Sequence, residues 1–297
     1  MKKFIVLAII MIVICSFSTV AKTDIYNQVS EKINSLNMDD DVPTWAVGNY
    51  WTYEVDTLTV QFNESGQIIN IDLTVKNLKL EVKSKVSDIY VLDVSGKIAG
   101  SFLFDDGAGL KISGNLYFTR FSGEINLYQS NLSLQNGNLV LKSIALLRDH
   151  PLSIPVPIPI PLTITFNVEN NIPRSLIDFP LFDGKMGFVA ESFVSANIKV
   201  ESIVLVILNI FKPDIPPEIY FEYEMALPEL IYNATIETIT VDPGPFSAYN
   251  IAFYEGLLGS IYYAPTVGNM IKALAELNIE DTIYLKFNGE LKEYNYS

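Results

Sequence analysis

Few residues in this chain can do chemistry. Its 297 residues include one histidine, His150, and one cysteine, Cys15. His150 precedes Pro151 in "RDHPL", a context that favours an extended or turn conformation. A lone imidazole and a lone thiol cannot supply the ligands of the usual zinc, copper or haem sites. They also leave no partner for a Ser–His or Cys–His nucleophile pair. No G-x-S-x-G, P-loop or G-x-G-x-x-G stretch stands at a strand-to-helix turn. Carboxylates are plentiful, and a glycosidase needs two of them facing one bond, but nothing in the spacing singles out two among 34 acidic residues. Asp39-Asp40-Asp41 and Asp105-Asp106-Gly107 lack the spacing of a calcium loop and read as a helix end and a turn. The expectation is a protein that is not an enzyme and carries no metal or cofactor.

Charge and leader narrow the setting. The formal charge is −14, and −16 once Lys2 and Lys3 are set aside. With no basic cluster to offset it, such a surface repels nucleic acid and anionic membranes. "MKKFIVLAIIMIVICSFSTVAK" has two lysines, an apolar run from Phe4 to Cys15 and a small-residue exit through Ala21. That order describes a secretory signal peptide over residues 1–21, cleaved after Ala21. The apolar part is short for a bilayer span of about 20 residues. Cys15 belongs to that apolar run, because Val13 and Ile14 before it do not suit lipid attachment. The mature chain, from Lys22, would have no cysteine, so its core and backbone ladders must hold it together outside the cell. Sequons at Asn63, Asn131, Asn233 and Asn295 are glycosylation candidates in such a setting.

These features need a scaffold, and the periodicity describes one. Ile25, Val29, Ile33 and Leu36 recur at four, four and three, an apolar stripe on a helix over 24–37. From Trp45 the period becomes two: Leu78, Leu80 and Val82 alternate with Lys79, Glu81 and Lys83. Short extended runs separated by Ser-Gly, Gln-Ser-Asn and Asn-Gly make an antiparallel meander over 45–148, one face dry and one wet. "SIVLVILNIF" (202–211) is apolar on both faces and reads as a doubly buried strand or the wall of a hollow. It lies in a second strand set over 165–263. In "YYAPTVGNMIKALAELN", Thr266 reads as an N-cap and 266–277 as a helix. A closing strand covers 281–294. The length suits a single domain over 22–297. The fold class expected is mainly β, a large curved antiparallel sheet or half-barrel with one or two short helices packed on it.

"SIPVPIPIPLTI", in the ribbon over 151–164, places Pro155, Pro157, Pro159 and Pro161 at alternate positions. In a strand, the N–H groups of alternate residues point to the same edge. The prolines therefore strip the donors from one edge, while Ile154, Val156, Ile158 and Ile160 keep theirs on the other. The alternative is a polyproline II connector packed onto the body.

Four stretches carry a family likeness: "WAVGNYWTYEV" (45–55), "DFPLFDGKMGF" (178–188), "VDPGPFSAYNI" (241–251) and "GSIYYAPTVGNMIK" (259–272). In this order the chain resembles a group of secreted or lipid-anchored archaeal and bacterial proteins of largely unknown function. These share VGNxWTY, FPLxxGxxW, GxFxAYxI and YYAPxVGNxxK motifs. The resemblance implies the architecture of periplasmic lipoprotein carriers, a curved sheet with helices over its concave face. Phe188 stands near the tryptophan of the central motif, and the proline ribbon is foreign to the group. Trp45, Tyr50, Trp51 and Tyr53 fit the filling of a β core better than carbohydrate stacking.

Two functions fit. In the first, an apolar ligand (an acyl or isoprenoid chain) lies in a groove of a half-open sheet. Its walls would be Ile154, Val156, Ile158 and Ile160 of the ribbon and Val204, Val206 and Leu208 of the apolar middle, with the two helices as lids. In the second, the same segments fill a solid core of a cell-surface structural or interaction module. The partners expected are a lipid or other apolar molecule, or an envelope protein, and no nucleic acid.

Overall fold

The computed structural model describes residues 42–297 except 65, 106, 108–110, 150–157, 172–176, 212, 214–215, 228, 256–257 and 280–282. The helix expected over 24–37 and the leader lie outside the described residues. The fold is mainly β, built on one large antiparallel sheet. Five long strands come first: β1 (Tyr50–Glu64), β2 (Gln67–Val86), β3 (Ile89–Asp105), β4 (Lys111–Tyr128) and β5 (Leu134–Asp149). They are followed by β6 (Ile158–Asn170), β7 (Met186–Val189) and β8 (Ser192–Ser202). A short helix, α1 (Ile203–Phe211), then precedes β9 (Glu218–Leu227). The chain closes with β10 (Leu230–Val241), β11 (Gly244–Glu255), β12 (Leu258–Ala264), β13 (Asn269–Ile279) and β14 (Ile283–Asn295). The strand order is β7-β10-β11-β12-β13-β14-β1-β2-β3-β4-β5-β6-β8-β9. The last strand therefore pairs with the first at mid-sheet, Tyr50 opposite Asn295 and Phe62 opposite Ile283.

Alternation in the sequence becomes two faces in the sheet. One row across it is Leu80, Val94, Gly123, Leu139, Phe166 and Ile198, on six strands in register. All of these but Gly123 belong to the buried core. The next row faces water: Asp93, Glu124, Asn138, Asn167, Asn197 and Glu222. There Asn138 donates to Asn167 Oδ1, and Lys83 pairs with both Asp93 and Glu124. A bulge at Lys76–Lys79 keeps the two faces in phase along β2, with Asn77 at φ 52°. Asparagine tolerates that left-handed conformation better than most residues.

Two segments exchange the roles read from the sequence. Residues 266–277 are not a helix: after a turn at 265–268 they enter β13, paired on both sides. Ala273 lies opposite Ile261, and Ala275 lies opposite Phe287. The alanines that read as helix formers are small partners for large neighbours, and ladder and packing override propensity. Conversely, residues 203–211 are not a strand but α1, packed on the ends of β6 and β8. Pairing of β6 with β8 ends at Leu162–Ser202, one residue past Pro161. Pro161 offers no N–H to extend it. With no ladder available, the chain beyond Ser202 satisfies its backbone internally as a helix.

The described part of the ribbon is a strand. Its described residues 158–161 extend β6 and pair with β5 alone, Ile158 opposite Leu147 and Pro161 opposite Ile144. The Ser202 hydroxyl donates to Pro161 O at 2.9 Å, so the proline's edge faces β8 and the isoleucines' edge faces β5. The prolines do not guard the rim of the sheet, because β8 and β9 lie beyond β6. They fix where β8 must leave it.

Candidate functional site

The two ends of the sheet differ in construction. At the end where β1 begins, Trp45, Trp51 and Tyr53 are buried and clamp the turn between β12 and β13. Trp45 Nε1 donates to Gly268 O at 2.8 Å, and Trp51 Nε1 to Val267 O at 2.8 Å. The Tyr53 hydroxyl donates to Met270 O at 2.9 Å, and the Trp45 N–H to Tyr90 Oη at 2.9 Å. Trp45 lies 4.8 Å from Trp51 and 5.1 Å from Tyr90, ring centre to ring centre. Burial holds the Tyr53 phenol well above its usual ionisation range. Gly268, at φ 65°, lies under Tyr296, whose ring would meet any Cβ there. For Trp45, Trp51 and Tyr53 these are core contacts, as the aromatic spacing led one to expect, and they close this end; Tyr50, expected with them, is only half-buried and its hydroxyl donates to Glu293 on the surface at 2.7 Å.

The second and third motif stretches join the same neighbourhood. Phe179 meets Tyr263 edge-on at 5.2 Å, and Tyr263 pairs with Tyr249 of β11. The Lys185 ammonium is almost fully covered. It donates to Pro180 O at 2.9 Å and to Asp178 O, and lies 3.0 Å from the Asp178 carboxylate. Tyr232 packs against Gly187, where a Cβ would meet its ring, and burial raises its phenol. Phe188, next to the position of the expected tryptophan, is exposed on β7.

The other end is open on one side. Along β8 the inward residues go from Ile198, 1% exposed, to half-buried Val200 and Ser202. Along β6 they go from Val168 and Phe166, at 3% and 5%, to half-buried Ile164, Leu162 and Ile160. On β3 buried Leu92 and Val94 give way to Phe102 and Phe104, and on β4 buried Phe121 gives way to Leu116. Phe102, Phe104, Leu116, Ile164 and Val200 form an apolar fringe against the core. β1 shows no such change, for Phe62 near its end is 2% exposed. Half-buried apolar residues packed on the core also occur on β10, β11, β13 and β14, at Ile239, Phe246, Ala275 and Tyr294.

Of the residues expected to line a groove, Ile160 lies in this fringe, and Ile158 pairs with Leu147 just beyond it. Ile154 and Val156 lie outside the described residues. Val204, Val206 and Leu208 fall on α1, so strand alternation does not govern them, and Val206 is exposed. Sequence reasoning missed Phe102, Leu116, Ile164 and Val200. For Phe102 and Ile164 the signal was simple alternation in "GSFLFDD" and "PLTITFNV", which marks an inner face without marking its open part. Among the sequons, Asn63 is exposed. Asn131 accepts from the Ser133 hydroxyl at 2.8 Å, and Asn233 accepts from the Tyr254 hydroxyl.

On the outer face Lys199 lies 2.8 Å from Glu218 and 3.0 Å from Glu201. The hydrogen bond from Lys199, then that from Tyr220, lowers the Glu218 carboxyl, the direction opposite to that of a general acid. Among the described residues no helix is long and apolar enough to cross a membrane. No family model, curated protein or solved structure matches the chain, so the family likeness rests on the four stretches alone.

Proposed function

We propose that this is a non-catalytic, extracytoplasmic protein that binds an acyl or isoprenoid chain along the apolar fringe of β3–β8. The observation that carries the reading is the loss of burial along the inner rows of β6 and β8. Leu162, Ile164 and Val200 continue a core row yet are only half covered. Apolar surface left open inside a concavity is the usual floor of a lipid site. Each methylene buried there contributes about 0.8 kcal/mol, so a ten-carbon chain gains about 8 kcal/mol before ordering costs. The leader read at residues 1–21 and the carrier-like motifs point the same way.

The second reading, a solid-cored structural module, is favoured by the clamp and by the burial of the inward residues of β1 as far as Phe62. Fluorescent fatty-acid titration separates the two. Ile164→Trp should fill the floor in place of about three methylenes and weaken binding by about 2 kcal/mol, or about thirtyfold. It should leave the melting temperature nearly unchanged. Ile198→Trp, one rung deeper, should instead overpack the core and cost about 1–3 kcal/mol of stability. Wild-type protein that takes up no fatty acid, with both variants equally destabilised, would establish the solid core.

A further inference from the structure

The chain has no run of basic residues, but the sheet assembles one. Lys76 of β2 lies opposite Lys97 of β3, Lys97 opposite Arg120 of β4, and Arg120 opposite Lys142 of β5. All four are exposed, and each adjoins a buried residue of the inner face: Val75, Ile98, Phe121 or Leu141. The row therefore lies on the outer face, with cations at successive strand spacings of about 4.8 Å and about 14 Å from end to end. Like charges directly opposite one another destabilise a sheet. Elsewhere Lys79, Lys83, Lys199 and Lys292 each pair with a carboxylate, whereas among the described residues these four form no ion pair. Three register shifts fall on the same line, at Lys76–Lys79, Ile98–Gly100 and Tyr117–Arg120. The last sets Tyr117 and Arg120, three residues apart, against Ile144 and Lys142, two apart. Both therefore point outward, and Thr119 turns in to meet the Ser143 hydroxyl at 2.5 Å. Bulges of this kind re-aim side chains beside functional sites. Tyr117 and Ile144, 42% and 38% exposed, form an apolar pair beside the row.

We propose that this row binds a single chain of an acidic polysaccharide laid across β2–β5. The row lies on the face opposite the fringe, and the inference does not rest on the acyl-chain reading. Spacing and width select the ligand. A uronate chain carries one carboxylate per sugar ring, a repeat close to the spacing of the four cations. An extended acidic peptide instead presents carboxylates on one face about 6.6 Å apart. Tyr117 and Ile144 supply apolar surface for the C–H face of a sugar ring. The favourable strip is also narrow. Asp72 stands four residues from Lys76 on one side, and Asp93 and Glu124 stand four from Lys97 and Arg120 on the other. Each is about 13 Å away along its strand. A nucleic-acid duplex or an anionic bilayer covers those carboxylates too, and a body of formal charge −14 repels it. Single-stranded nucleic acid binds through a series of stacking platforms, and this row has one aromatic ring beside it. A thin glycan meets the cations and avoids the carboxylates.

The test is a calorimetric titration of the purified protein with polygalacturonate, with dextran as the neutral counterpart. Wild type should bind polygalacturonate and not dextran, and its affinity should fall as salt rises. Lys97→Gln and Arg120→Gln together should weaken binding by about tenfold or more and flatten the salt dependence. Lys286→Gln removes a charge from an exposed position on β14, outside the row, and should leave the affinity within about twofold of wild type. Because the row stacks like charges, the double variant should melt no lower than wild type in the absence of glycan. Polyaspartate and single-stranded poly(dT), matched in charge, should bind about tenfold more weakly than polygalacturonate. Wild type that binds no polygalacturonate overturns the proposal, as does an equal loss with Lys286→Gln or a lowered melting temperature in the double variant. Equal or tighter binding of polyaspartate or poly(dT) assigns the row to another polyanion and overturns it. Phosphatidylglycerol vesicles that bind wild type and not the double variant assign the row to lipid headgroups and also overturn it.

Discussion

Trp51→Phe is the sharpest test of how the closed end is held. The substitution removes the indole N–H that meets Val267 O at 2.8 Å, on a side chain with no exposed surface. Losing a buried donor from its carbonyl costs about 1–3 kcal/mol. The smaller ring adds a packing loss of about 1 kcal/mol, a fraction of the 3–5 kcal/mol of a full truncation. The expected total is about 3 kcal/mol, which at this chain length lowers the melting temperature by about 6–12 °C. Trp45→Phe removes the matching bond to Gly268 O at 2.8 Å and should cost about as much. Because the two rings are 4.8 Å apart and hold adjacent carbonyls, the double variant should depart from additivity by at least about 0.5 kcal/mol. Val47→Ala, at an exposed position in the same stretch, is the control and should stay within about 0.5 kcal/mol. Denaturant unfolding followed by circular dichroism gives all four values. A cost below about 0.5 kcal/mol for Trp51→Phe, or strict additivity with Trp45→Phe, would refute the clamp.

Two further outcomes follow from the same structure. Burial raises the phenols of Tyr53 and Tyr232, so the folded chain holds protons that the unfolded chain releases near pH 10. Stability should be complete below about pH 10 and fall as pH rises beyond it, and Tyr53→Phe should remove part of the fall; melting temperatures flat through that range would contradict this. Replacing Pro159 and Pro161 together by valine restores two donors on the β6 edge that β8 leaves unpaired. The variant should self-associate at concentrations where wild type does not, as light scattering would show, and an unchanged mass would mean that edge is already covered.

The strands were legible because burial on one face imposes a period of two, and little else produces it over so long a run. Leu78, Leu80 and Val82 point inward and Lys79, Glu81 and Lys83 do not, as their alternation implied. What the periodicity could not carry was the fate of segments whose pattern suits either element. "VGNMIKALAELN" has helical spacing and good helix formers. It becomes β13 because β12 and β14 lie on either side of it, and that neighbourhood is set by residues far along the chain. "IVLVILNIF" is apolar in every direction and so has no period to read; the end of a ladder decides its state. The open fringe was hidden for a related reason. Ile164 and Phe166 are alike in sequence, and only the extent of cover over each tells them apart.

The prolines and the tryptophans, taken together, explain why the sheet is open at one end and shut at the other. Indole N–H groups supply donors to the carbonyls of the turn at 265–268, and that end gains a lid made of its own chain. Pro159 and Pro161 withhold donors from β8, so that end loses a strand partner where a lid would begin. The chain released at Ser202 then becomes α1, and its aliphatic stripe is left outside because the ends of β6 and β8 support the helix from one side only. An inner face of uniform composition thus acquires a direction. On the proposed acyl-chain reading, a long apolar molecule would meet half-covered Ile160, Leu162 and Ile164 first and would be stopped where Phe166 and Ile198 are already packed. The depth available to a ligand is therefore set by the rung between Ile164 and Phe166, and not by the length of the strands.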